Sequence, residues 1–152
     1  SREGVAEVSL PGGCLIGSRP IDLHLLAFKS LGADINIVDG YVRAKAPIKG
    51  LKGGKIVFPT ISVGATENAI MAAVLAKGST CIYNAALEPE ILDLCDCLNS
   101  MGAKIFNIGK SKIEIEGVSS FSKARHRVLP DRIETGTFCV AASLTNGKLL
   151  TN

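Results

Sequence analysis

The 152-residue chain has no tryptophan, and aromatic residues make up only 5% of it. Its longest unbroken apolar run, Ala69–Ala76, falls far short of the ~20 residues a membrane-crossing helix needs. Basic residues never cluster: 17 Lys and Arg stand against 14 Asp and Glu, for a net charge of +3. A nucleic-acid groove calls for grouped cations and stacking rings, so neither nucleic acid nor membrane is expected as a partner. No basic stretch leading into an apolar core opens the chain, so no secretory leader is expected. An initiator Met is also missing, and Ser1-Arg2-Glu3 reads as the start of a fragment or of a processed product. The five cysteines (14, 81, 95, 97 and 139) are odd in number and lack metal-ligand spacing, so no metal and no cofactor are expected. Reduced thiols in a cytoplasmic compartment are the simplest reading. Hydrophobic residues at 47% and charged residues at 20% do allow a real core, and the modest positive charge suits a small anionic ligand.

The chain repeats itself weakly. Pro20 to Ala33 ends in Leu31-Gly32-Ala33, and Pro89 to Ala103 ends in Met101-Gly102-Ala103. Both read as helices with Pro in the first turn and Gly just past the last, Ser18 capping the first. Each is followed by a hairpin pattern: Ile35 and Ile37 before Asp39-Gly40, then Ile105 and Ile108 before Gly109-Lys110. A further strand is predicted in each copy, at Lys55–Phe58 and His126–Leu129. Second helices then run over Ala65–Lys77 and Glu134–Thr145, apolar or small almost all round and so expected to be enclosed. Strands are predicted after them at Thr80–Asn84 and from Lys148.

Four segments can carry chemistry. Pro11-Gly12-Gly13-Cys14-Leu15-Ile16-Gly17-Ser18-Arg19 sets a thiol among glycines whose backbone N–H groups can approach a ligand closely. Arg19 follows at a helix start, where the dipole also favours anions. A surface loop with an incidental cysteine accounts for the same residues. Ser62-Val63-Gly64 precedes an enclosed helix, as a phosphate site or simply as a cap. Glu88-Pro89-Glu90 puts two carboxylates at a helix start, where capping also explains them. Asp131-Arg132-Ile133-Glu134 reads equally as a paired structural corner. His24 and His126 have no partner by spacing.

The strings Leu10-Pro-Gly-Gly-Cys-Leu-Ile-Gly-Ser-Arg-Pro-Ile-Asp-Leu-His24, Ser62-Val-Gly-Ala-Thr-Glu-Asn68, Asn84-Ala-Ala-Leu-Glu-Pro-Glu90 and Leu129-Pro-Asp-Arg-Ile-Glu-Thr-Gly-Thr137 closely resemble motifs of one family. It is the enolpyruvyl transferase family, in the branch that acts on UDP-N-acetylglucosamine. The motifs keep the family's order and cover nearly the whole chain, which is similar to the family's middle portion. The resemblance implies an inside-out α/β barrel of the EPSP synthase type, in which βαβαββ units surround buried helices. Only part of it is present here. Residues 1–130 are then expected in the first domain, and residues 131–152 open a second.

By the same resemblance, enolpyruvate passes from phosphoenolpyruvate to the sugar 3-hydroxyl of UDP-N-acetylglucosamine. C3 of the enol is protonated, the hydroxyl adds at C2 and phosphate leaves, in the first committed step of peptidoglycan synthesis. Cys14 matches the family's cysteine, which forms a phospholactoyl thioether and has been assigned an acid role. Arg19 matches an arginine that contacts phosphoenolpyruvate. Arg19, Pro20, Ile21, Asp22 and Leu23, with Ser62, Val63 and Gly64, match nucleotide-sugar contacts, and Glu88 and Glu90 match acidic residues lining the cleft. Thr60 departs from the pattern, since the family often has Lys there. The family's other phosphate-binding and base residues belong to the rest of the parent chain, so the 152-residue piece alone is expected to be inactive. The related transferase acting on shikimate 3-phosphate, which does not use this cysteine, and a degenerate copy that only binds nucleotide sugar are the alternatives.

Overall fold

The structure is a computed structural model, and it describes residues 3–13, 17 and 19–151. In chain order its elements are β1 (Val5–Ser9), α1 (Asp22–Ser30), β2 (Asp34–Val38), β3 (Tyr41–Lys45), β4 (Lys55–Val57), α2 (Val63–Ala73), β5 (Ser79–Tyr83), α3 (Pro89–Ser100), β6 (Lys104–Phe106), β7 (Lys112–Glu116) and α4 (Arg132–Leu144).

The predicted repeat is real at atomic level. Gly32 and Gly102 sit at φ +88° and +99°, the left-handed region that ends a helix without strain only when no side chain is present. Ala33 N–H then donates to Phe28 O, and Ala103 N–H to Leu98 O, both at 3.0 Å. Beyond these ends the copies keep step: Leu31 O accepts from Lys52 N–H, and Met101 O from Ser122 N–H. Both copies then form a hairpin, with a tighter turn in the first than the 107–111 loop of the second. Asp39 and Gly40, both at positive φ, turn β2 into β3, as the Asp-Gly pair predicts.

Strands β1, β3 and β2 form one antiparallel sheet, and β4, β5, β7 and β6 form a second, in that spatial order. In the second sheet β4 runs parallel to β5 and the other pairs are antiparallel. Its inner residues Ile56, Ile82, Ile105, Ile113 and Ile115 are buried, while Lys55, Lys104, Lys112 and Glu114 stand on the other face. That period-two alternation marks a sheet with one face on the core. The covering layer is helical. Helix α2 packs between α1 and α3 and beneath β5 and β7. Ala65, Thr66, Ala69, Ile70, Ala72 and Ala73 are buried, and the small residues let the neighbours come close. Helices inside and sheets outside is the arrangement expected, although α2 is not enclosed on every side, since Met71 remains 45% exposed.

Other expectations need correction. Among the described residues helix α4 has no buried residue, and apart from a link between Arg132 at its start and Glu90 of α3 it has no close packing along its length. Its pattern suits a buried helix, but burial needs a partner surface, and none of the described elements supplies one. Among the described residues no strand forms at 126–129 or after Lys148. A strand needs an edge to pair with. The 126–129 segment is instead held by a side chain: Asp93 accepts from Leu129 N–H and contacts His126 Nε2 at 3.0 Å. Strand β1 was not foreseen. Pro20 lies ahead of α1 rather than in its first turn, because the N-cap is Ile21, which makes no side-chain cap. Ser18, the expected cap, lies outside the described residues.

Candidate functional site

The described parts of the four motif segments lie at the starts of α1, α2, α3 and α4, and pairwise contacts link them in turn. Ser62 is the N-cap of α2, its extended backbone turning the chain into the helix while its Oγ accepts from Ala65 N–H at 3.3 Å. Thr66 returns its hydroxyl to Ser62 O at 2.8 Å and accepts from Ala86 N–H at 3.1 Å, which ties the 84–88 loop to the first turn of α2. On the opposite side, Asn68 reaches His24 of α1 with an N···N separation of 2.8 Å, so the start of α1 sits against the same turn. The segments 19–23, 62–64 and 84–88 are thus brought together from far apart in sequence. Local capping and tertiary contact are both present at Ser62.

At α3, Glu88 occupies the N-cap position but makes no cap bond to the helix; its Oε2 accepts from Leu87 N–H at 2.9 Å. Pro89 takes the first helical position, where its missing N–H costs nothing. Glu90 accepts twice from Arg132, at 2.8 and 3.3 Å, a forked pairing across the start of α4. The hydrogen bond from Arg132 holds the Glu90 carboxyl below its ordinary range and raises Arg132 in turn. Asp131 caps α4 by accepting from Ile133 and Glu134 N–H at 2.8 and 3.2 Å. The paired corner expected at 131–134 is what forms, with Glu90 as its other half.

Arg19, Pro20 and Asp22 are exposed, and Ile21, Leu23, Ser62, Val63, Gly64, Glu88 and Glu90 are partly so, leaving this side open to a ligand. The exposed Arg19 and the dipole end of α2 supply positive charge on this side, and Asp22, Glu88, Glu90 and Asp131 supply negative charge. Cys14 lies outside the described residues. Cys95 is buried within α3, and burial, followed by the charge of Asp96, pushes its thiol up to about 11, which makes it a packing residue. Among the described residues no helix is long and apolar enough to cross a membrane. Sequence spacing missed the partners of both histidines, Asn68 for His24 and Asp93 for His126, because each joins different elements.

The whole chain, residues 1–152, matches the sequence model of EPSP synthase (3-phosphoshikimate 1-carboxyvinyltransferase). The chain belongs to the EPSP synthase family. Curated relatives of this EPSP synthase family chain include proteins named UDP-N-acetylglucosamine 1-carboxyvinyltransferase. The one from Zymomonas mobilis is 61% identical over 99% of this chain and 35% of its own length. The one from Azorhizobium caulinodans is 63% identical over 97% of this chain and 34% of its own length. The chain therefore spans about a third of the length of the curated relatives it matches. Among solved structures, the enolpyruvyl transferase NikO from Streptomyces tendae superposes with a TM-score of 0.66 at 22% identity, over 93% of this chain and 34% of that one. An EPSP synthase from Acinetobacter baumannii gives a TM-score of 0.64 at 21% identity, over 90% and 31%. These two likenesses establish the fold: a partial α/β structure of the EPSP synthase type.

Proposed function

We propose that the parent protein transfers enolpyruvate from phosphoenolpyruvate to the 3-hydroxyl of UDP-N-acetylglucosamine, releasing phosphate. The observation that carries this reading is identity of 56–63% with relatives bearing that enzyme's name. Those matches run over nearly the whole of this chain. The gathering of the motif segments at open helix starts supports it, because both substrates are phosphorylated and helix starts attract anions. In this reading Arg19 holds phosphate of phosphoenolpyruvate. Residues Arg19–Leu23 and Ser62, Val63 and Gly64 grip the nucleotide sugar, whose diphosphate suits the amides of α2. Glu88 and Glu90 line the same side, Glu90 while paired with Arg132. Cys14 supplies the acid that protonates C3 as the sugar hydroxyl adds at C2 and gives its proton to a base elsewhere in the parent; phosphate then departs as C3 loses a proton and the double bond re-forms.

Residues 1–130 act as part of one domain and residues 131–152 begin another, a reading supported by the lack of packing between α4 and the other elements. The 152-residue chain alone should not turn over, since the groups completing the site lie elsewhere in the parent, a cytoplasmic enzyme of peptidoglycan synthesis. Groups that act as a unit lose activity together when some are missing. The test uses the full-length parent. Phosphate release should require UDP-N-acetylglucosamine together with phosphoenolpyruvate; release with shikimate 3-phosphate instead would assign the other branch of the family. Fosfomycin in the presence of UDP-N-acetylglucosamine should add once, on Cys14, as read by peptide mass spectrometry. Labelling at another cysteine removes Cys14 from the chemistry.

A further inference from the structure

The side chain of Asn68 is placed so that its amide nitrogen serves two acceptors at once. Nδ2 donates to Gly64 O at 3.1 Å and lies 2.8 Å from His24 Nδ1. A carbonyl oxygen can only accept, so the group facing Gly64 O must be the NH2, and its second hydrogen goes to the imidazole. Nδ1 of His24 is therefore the acceptor, and in the neutral ring the proton sits on Nε2. The ring also lies beside the start of α2: a Cβ built on Gly64 would meet His24 Cε1 at 3.4 Å and Nε2 at 3.8 Å, ordinary contact distances. His24 follows directly on the segment 19–23, and Gly64 ends the segment 62–64. The one side chain thus joins both arcs assigned to the nucleotide sugar.

We propose that His24, oriented by Asn68, is a positioning residue that fixes the segment Arg19–Leu23 against Ser62–Gly64 and so sets the spacing of the nucleotide-sugar site. This rests on the function proposed above. Two helices packed through small and aliphatic residues can slide on one another, whereas a charge-free hydrogen bond with defined geometry at their ends selects one register. The residue acts through the backbone arcs it holds, and the acceptor at Nδ1 is the atom that matters.

The experiment uses the full-length parent and steady-state kinetics with both substrates. His24→Ala and Asn68→Ala should each raise KM for UDP-N-acetylglucosamine roughly three- to tenfold, the range that one hydrogen bond's net worth gives. The value of kcat should stay near that of the unsubstituted protein, and KM for phosphoenolpyruvate, reached through Arg19 alone, should rise less than KM for UDP-N-acetylglucosamine; all three values should be unchanged in the surface control Lys112→Ala. The double variant should be no worse than the poorer single one, because both remove the same bond. His24→Asn, whose Oδ1 stands where Nδ1 stood, should recover most of the affinity, and His24→Gln should not. If His24→Ala does not fold, the Asn and Gln variants decide the matter by themselves. The proposal is overturned if His24→Ala keeps the original KM, if both substrates and kcat suffer alike, or if Gln rescues and Asn does not. An unsubstituted parent that shows no dependence on UDP-N-acetylglucosamine overturns the function reading and takes this one with it.

Discussion

Helices α2 and α4 carry the same opening. Ser62 and Asp131 cap them through side-chain oxygens, and Thr66 and Thr135, four residues on, return their hydroxyls to the cap carbonyls at 2.8 and 2.9 Å. From there the two diverge. Where α2 has Ala69 and Ile70, both fully buried, α4 has Phe138 and Cys139, both exposed. Thr66 receives Ala86 N–H from the next segment, whereas for Thr135 only the bond to its own cap is present. Local chemistry is repeated and surroundings are not. Capping needs only four or five residues, while burial needs a second layer, and α1, α3 and the second sheet supply that layer to α2 alone.

Substitutions in the two helices break this comparison most sharply at the core. In the 152-residue chain, Ile70→Ala should lower the unfolding free energy by about 2–5 kcal/mol, the cost of a cavity in a packed site. Val140→Ala, at a position 59% exposed, should shift it by about 0.5 kcal/mol at most. Urea unfolding followed by circular dichroism measures both; equal losses would mean that α4 is packed after all.

The next effect concerns the threonines. Thr66→Val strands the Ala86 N–H in the interior and should cost about 1–3 kcal/mol, against a much smaller change for Thr135→Val. A more modest effect sharpens the likeness instead. Ser62→Ala and Asp131→Ala should each cost about 1 kcal/mol, because a cap works on its own first turn whether or not the helix is buried. If Asp131→Ala is silent, the two openings are not equivalent.

The smallest effect depends on pH. Glu90 is held below the ordinary carboxylate range, first by the hydrogen bond from Arg132, so the folded state favours its ionised form. Its contribution is complete above the unfolded value near 4.5 and fades as pH falls through the lowered folded value. Protection against hydrogen exchange at the start of α4, taken relative to the intrinsic rate at each pH, should therefore fall slightly at acid pH, and Glu90→Gln should show that lower protection already at pH 7. Unchanged protection in the Gln variant would make the pair ornamental.

Much of the fold was legible because it is written locally. Leu31-Gly32-Ala33 and Met101-Gly102-Ala103 mark helix ends because only glycine takes the left-handed turn freely, and Asp39-Gly40 marks a hairpin for the same reason. The motif strings likewise located the segments 19–23, 62–64 and 88–90 that the fold draws to one side. The strands at 55–57 and 79–83 were legible too, whereas features that depend on one particular distant side chain were not. The sequence pattern at 126–129 suits a strand, yet Asp93 of α3 captures that segment. Asn68 and His24 lie too far apart in sequence for either to announce the other, and Glu90 gave no sign that it would meet Arg132.

Taken alone, the residue order settled where helices start and stop, which turns are tight, that one unit occurs twice, and which family the motifs resemble. Each of those depends on neighbours within a few positions or on direct likeness. Only the tertiary structure decided that α2 becomes the mostly enclosed helix while α4, also rich in apolar and small residues, stays uncovered among the described elements. It alone paired the two histidines and set the motif segments around common helix starts. Burial and side-chain pairing are properties of surfaces that meet in space, and an apolar stripe states the need for a partner without providing one.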